Sequence, residues 1–124
     1  MADMTESGAR AGPYCGGLLG TGTDRETLRL RLVAEVYDPY TLEHLVRLGL
    51  GPGRRCLDVG AGAGTVARLM ADRVGASGSV VATDLNLEPM SGLGADNLEV
   101  LRHDVTADPR PGAPFDLIHC RFVL

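Results

Sequence analysis

Residues 56–64 read Cys56-Leu57-Asp58-Val59-Gly60-Ala61-Gly62-Ala63-Gly64, and this stretch decides the fold. An apolar run ends in an acid, and glycine then takes every second position. That is how a buried strand turns into a loop that cradles a phosphate or a cofactor. Gly60, Gly62 and Gly64 reach backbone angles closed to other residues and place no Cβ between main chain and ligand. Residues 65–74 (TVARLMADRV) follow as a helix whose N-terminus points its free N–H groups back at the loop.

Outward from the loop, strand and helix patterns alternate. Residues 51–53 (Gly-Pro-Gly) turn tightly into a first strand over 55–59, and Gly75 and Gly78 punctuate the turn after the helix. Residues 79–83 (SVVAT) are a short β-branched second strand ending at Asp84. Pro89 and two glycines leave only a short, poorly formed helix in 85–96. Residues 98–102 (LEVLR) make a third strand, ending at His103 and Asp104. Pro109, Pro111 and Pro114 keep 105–114 a loop, and 115–124 (FDLIHCRFVL) read as a fourth strand.

Such alternation means an α/β fold, with a parallel Rossmann-like sheet, right-handed crossovers and helices on both faces. Ligands of such sheets bind at the carboxyl ends of the strands. Asp58, Asp84 and Asp104 close three successive strands, and residues 120–122 close the fourth, all on one rim. Packing alone does not call for three acids there.

Upstream, residues 1–23 are rich in glycine, alanine and threonine and are expected to be flexible, or to order as a flap over a bound ligand. From Asp24 the pattern is helical: Leu28, Leu32, Val33 and Val36 form an apolar stripe, with arginines largely on the other face. A break is expected where Asp38 can cap and Pro39 can start a second helix, whose Leu42, Leu45 and Val46 precede a C-capping Gly49. Both helices are expected to pack against the sheet, making 24–124 one domain.

Composition narrows the chemistry. The chain has 124 residues, a net charge of −4 and 44% hydrophobic residues, giving no electrostatic reason to expect nucleic acid or an acidic membrane as partner. All 12 basic residues are arginine, so Schiff-base and lysine-base chemistry are excluded. Cys15, Cys56 and Cys120 share no C-x-x-C spacing, which argues against a disulfide framework or a zinc site. No signal peptide or membrane span is evident, and a cytoplasmic protein is expected. His103, His119 and Cys120 read as structural, since no further metal ligand is suitably spaced.

The segment from Cys56 to Asp84 resembles the cofactor-binding signature of the class I S-adenosylmethionine-dependent methyltransferases, whose first strand runs into D-x-G-x-G-x-G. Asp58, Gly60, Gly62 and Gly64 stand in those places, with Ala61 between the first two glycines. The alternative is the dinucleotide pattern G-x-G-x-x-G of NAD(P)-binding proteins. Here Thr65 occupies its last glycine, and Asp58 would be awkward beside a pyrophosphate but suits an ammonium and a sulfonium.

The resemblance implies that Asp84 accepts hydrogen bonds from the ribose hydroxyls and that Leu85 lies against the adenine. It gives Asp104 the adenine amino group and the Val105 N–H the ring nitrogens, although Asp104 reads equally as a loop cap. Asp58 would orient the loop and help hold the methionine end, or merely tie the turn, and Arg121 would lie near the cofactor's carboxylate. It further implies methyl transfer with no obligatory catalytic residue; a small-molecule acceptor is expected first, a protein second and, given the acidity, nucleic acid last.

The family's sheet has seven strands, in an order beginning 3-2-1-4, and four are legible here. The chain is therefore expected to be a fragment, or a cofactor-binding half-domain without catalysis of its own. Its fourth strand would be an exposed edge through which copies associate.

Overall fold

The structure, a computed structural model, describes residues 22–112 and 114–121. The expected flexible leader lies outside those residues, apart from its last two positions. The described elements are α1 (Gly22–Arg47), β1 (Arg55–Val59), α2 (Thr65–Val74), β2 (Ser79–Asp84), a 3₁₀ turn (Glu88–Met90), β3 (Leu98–Arg102) and β4 (Leu117–Cys120). All strand pairs are parallel, in the order β3-β2-β1-β4, as the resemblance implies. Strand β4 covers only 117–120 of the expected 115–124: residues 115, 116 and 121 lie outside the strand, and 122–124 lie outside the described residues.

Register sorts the side chains between the two faces. Cys56, Asp58, Val80, Ala82, Leu117 and His119 share one face because each pairs with another of the set or lies two residues from it. Leu57, Val59, Val81, Thr83 and Ile118 share the other. The buried core gathers Cys56, Val80 and Ala82 with Val66, Met70 and Val74 of α2 and Leu45 of α1.

Helix α2 therefore covers the first face, and α1 packs against α2 beside it. Handedness places α2: the connections from β1 to β2 to β3 step one way across the sheet, so right-handed crossovers stack on a single side. The step from β3 back to β4 reverses direction and must cross the opposite face. Its prolines keep it irregular, and His103, Val105 and Pro111 line a cavity there with Leu57, Val59 and Ile118. The expectation of helices on both faces is thus met on one, among the described residues.

The N-terminal region corrects the sequence reading. No break occurs at Asp38 and Pro39: α1 is a single helix of 26 residues running through Pro39. Pro39 cannot donate to the Glu35 carbonyl. Arg121 bridges the proline, donating from Nη2 to Asp38 Oδ1 and from Nη1 to Thr41 Oγ1, both at 2.8 Å, and so ties the two sides of the lost bond together. Asp38 is thereby an ion-pair partner rather than a cap. Nor does most of the stripe of Leu28, Leu32, Val33 and Val36 face the sheet: Val33 is half-buried and the other three are exposed. The face turned inward carries Leu30, Ala34, Thr41, Leu42 and Leu45.

Gly64 joins the loop to α2 with φ +82°, and a Cβ there would strike Leu93 Cδ2 and come within 3.2 Å of Met90 Cγ. Gly64→Ala combines a left-handed backbone with overpacking and is expected to cost about 2–4 kcal/mol in denaturant unfolding. Gly92→Ala, at a site with nothing within 4 Å, should lie within about 0.5 kcal/mol of the parent. Equal costs at the two positions would show that the Met90–Leu93 contact does not constrain Gly64.

Candidate functional site

The glycine loop doubles back onto the end of β2. Gly60, Gly62 and Gly64 all have positive φ, at 67°, 63° and 82°. Ala61 N–H donates to the Thr83 carbonyl at 2.8 Å, and Gly64 N–H to the Ala61 carbonyl at 2.9 Å. Between them Gly62 N–H donates to Asp84 Oδ2 at 2.9 Å, while Leu85 N–H donates to Asp84 Oδ1 at 2.7 Å. Each oxygen of Asp84 so holds one backbone donor and keeps acceptor capacity at the rim. A carboxylate with its own position fixed this way is suited to a pair of neighbouring hydroxyls.

Around it the rim is partly apolar. Leu85 and Val105, following β2 and β3, are both exposed. Helix α2 begins at Gly64 with no side-chain cap, leaving its first-turn N–H groups toward the loop without one. Above Gly62 lies α1: a Cβ on that glycine would come within 3.2 Å of Leu30 Cδ2.

Asp104 is a loop cap. Its Oδ1 accepts from Thr106 N–H at 2.9 Å and Thr106 Oγ1 at 2.6 Å, and its own N–H donates to Asp108 Oδ2 at 2.8 Å. The Thr106 donors hold its carboxyl below the usual carboxylate range. Its second oxygen has no hydrogen bond to another described residue.

Asp58 lies beneath the loop with only 2% of its surface exposed. Its Oδ1 accepts from His119 Nδ1–H at 2.8 Å, across the β1–β4 register that sets the two residues side by side. Burial pushes the Asp58 carboxyl up, and the His119 hydrogen bond pulls it back. The sequence reading placed Asp58 and His119 separately and missed this pair. The signal was available: with β1 beside β4, two strand-end positions of matching parity become neighbours.

Arg121 is committed to α1 through Asp38 and Thr41, and its guanidinium carbon lies 6.0 Å from the Tyr37 ring centroid. His103 Nε2–H donates to the Pro109 carbonyl at 2.8 Å, steadying the crossover loop. Burial drives the Cys56 thiol up to about 11, which removes it as a nucleophile. Among the described residues no group of histidine, cysteine and acid side chains could hold a metal ion, and no helix is long and apolar enough to cross a membrane. The geometry thus gathers residues 60–64, Asp84 and Leu85 at one place, with Asp104 and Val105 at the neighbouring strand end. It sets Asp58 below them and Arg121 against α1.

Comparison with known proteins agrees with this architecture. A family described as a methyltransferase domain matches residues 29–124. A ubiquinone/menaquinone biosynthesis C-methyltransferase of Stenotrophomonas maltophilia is 37% identical over 82 residues, 59% of this chain and 32% of that protein. The crystal structure of a SAM-dependent methyltransferase from Aquifex aeolicus superposes with a TM-score of 0.57 at 33% identity, over 71% of this chain and 50% of that one. A TehB-like SAM-dependent methyltransferase from Corynebacterium glutamicum shares the fold, with a TM-score of 0.62 at 22% identity, over 80% of this chain and 54% of its own. The chain spans about a third of the curated relative's length and about half that of the two structures. With a glycine loop fixed to the acid of β2, a parallel sheet in the order β3-β2-β1-β4 and a family match over most of its length, the chain belongs to the class I S-adenosylmethionine-dependent methyltransferases.

Proposed function

We propose that the rim formed by residues 60–64, Asp84, Leu85, Asp104 and Val105 binds S-adenosylmethionine, and that the protein passes its methyl group to a small-molecule acceptor. The observation that carries this reading is the Asp84 carboxylate, pinned by the Gly62 and Leu85 N–H groups at 2.9 and 2.7 Å. The free acceptor capacity of its two oxygens matches the two hydroxyls of a ribose. Exposed Leu85 and Val105 suit the faces of a flat purine, and the uncapped start of α2 suits the negative end of the ligand. Asp58 acts from below, holding the loop's root and a negative field beneath a cationic ligand. Arg121 fastens α1 rather than meeting the ligand's carboxylate.

When bound, the cofactor supplies a methyl group on a positively charged sulfur. The protein's contribution is to orient the acceptor and exclude water, which needs no dedicated nucleophile. No residue is assigned a catalytic role. The acidic balance of the chain favours a small acceptor over nucleic acid.

Calorimetry with S-adenosylhomocysteine tests the site. Asp84→Ala removes charge-assisted acceptors and is expected to weaken binding by about 2–4 kcal/mol. Because that carboxylate also holds Gly62, Asp84→Asn is the control: it keeps one acceptor for the loop, and should lose a smaller part of the affinity. Unchanged affinity in Asp84→Ala would remove the assignment, and tight NAD binding by the parent would put a dinucleotide in its place.

Gly62→Ala is expected to cost about 1–2 kcal/mol of stability from its φ of +63°. It should also reduce binding by more than tenfold, because a methyl crowding Leu30 shifts the Gly62 N–H that pins Asp84. A variant that keeps full affinity would show that binding does not need Asp84 held by Gly62.

A further inference from the structure

We infer that α1 is a self-association helix: two copies of this chain pair antiparallel through a row formed by Leu28, Leu32, Val36 and Tyr40. The four residues are 37%, 51%, 58% and 69% exposed, although three are aliphatic and the fourth is aromatic. They recur at i, i+4, i+8 and i+12 and so lie along one side of the helix. Single exposed apolar residues are ordinary on a protein surface, but a contiguous row on one helix marks a contact surface. The row faces away from the domain, because the inward side of α1 is taken by Leu30, Ala34, Thr41, Leu42 and Leu45.

The charges flanking the row choose the occupant. Arg25 lies three residues before Leu28, and Glu43 three residues after Tyr40. In an antiparallel pair whose two-fold axis crosses the outer side of α1 at the level of residue 34, residues equally distant from 34 along the row meet across the interface. Leu28 then meets Tyr40, Leu32 meets Val36, and Arg25 meets Glu43, each contact occurring twice. A second copy thus satisfies the whole row and both charges at once, and the interface closes on itself as an isologous dimer. A parallel arrangement would instead set Arg25 on Arg25 and Glu43 on Glu43. Glu43 now pairs with Arg47 at 2.9 Å, but both are largely exposed, and such a pair holds little energy against a new partner.

Sedimentation and light scattering on the 124-residue chain across micromolar concentrations test this directly. The expected result is a reversible dimer of twice the 13.0 kDa chain mass. Leu32→Glu with Val36→Glu should give a monomer with unchanged helix content. Arg25→Glu and Glu43→Arg should each weaken the dimer by about tenfold, since each spoils two contacts. The combination of Arg25→Glu with Glu43→Arg should restore it, because the swapped charges again meet opposites. That rescue is independent of whether the glutamate pair folds.

A chain that stays monomeric throughout would overturn the proposal and leave the row to a different occupant. So would association that ignores the α1 substitutions and is abolished by Ile118→Glu, which would place the contact on β4. Failure of the double charge swap to restore the dimer would overturn the antiparallel register.

Discussion

The hydrogen bond from Gly62 N–H to Asp84 Oδ2, at 2.9 Å, is the constraint on which the rest of the site depends. It closes the end of β1 onto the end of β2 together with the neighbouring bond from Ala61 N–H to the Thr83 carbonyl. Two adjacent parallel strands would otherwise present separate, solvated tips. Joined, they form one stiff ledge, with a carboxylate at its lip and backbone N–H groups behind it. The geometry needs glycine because each of the three loop glycines has positive φ, where a β-carbon is strained. Gly64 is further confined by Met90 and Leu93, so the segment after β2 packs against the start of α2 and sets where that helix begins. Sequence, backbone angle and packing converge on five residues.

Beneath the ledge sits a less economical arrangement. Asp58 is a buried acid, and the cost of stripping water from it exceeds what the His119 hydrogen bond returns, since its carboxyl remains raised. Replacing both members of such a pair by apolar groups is often neutral, whereas removing one leaves the other uncompensated at a cost of about 3–5 kcal/mol. Stability does not explain why an acid sits there. What the pair does is positional: Asp58 stands two residues before the glycine loop, and its hydrogen bond to His119 ties the ends of β1 and β4 together where the loop begins.

How much of this was legible follows from how far each signal reaches along the chain. The loop, the strands and the acid of β2 are local patterns, written in consecutive residues, and each is found where the spacing places it. The Asp58–His119 pair spans 61 residues and depends on strand order, which no local pattern encodes. Asp104 shows a limit of another kind: an acid after a strand can cap its own loop or face a ligand, and its Thr106 bonds establish the first role without excluding the second. At Pro39 the local rule was overruled. A proline after aspartate is a good start for a helix, but Arg121, some 80 residues on, ties the flanking residues into a continuous one.

The misreading of α1 is the most instructive, because the pattern itself was real. Leu28, Leu32 and Val36 do form a stripe; periodicity reports that a stripe exists, not which neighbour covers it. The helix carries a second apolar face through Leu30, Leu42 and Leu45, and the domain selected that one. The selection has a physical cause. Asp38 and Thr41 lie on the same side as Leu42 and Leu45, and Arg121 at the end of β4 holds them there by two 2.8 Å bonds. Rotating the helix to bury the other stripe would break both bonds and lift Leu30 from Gly62. The inward face is therefore set by polar anchors and the outward one is left over. α1 is consequently coupled on its inner side to the loop and to β4, so whatever covers its outer row bears on a helix already fixed to the glycine loop and the end of β4.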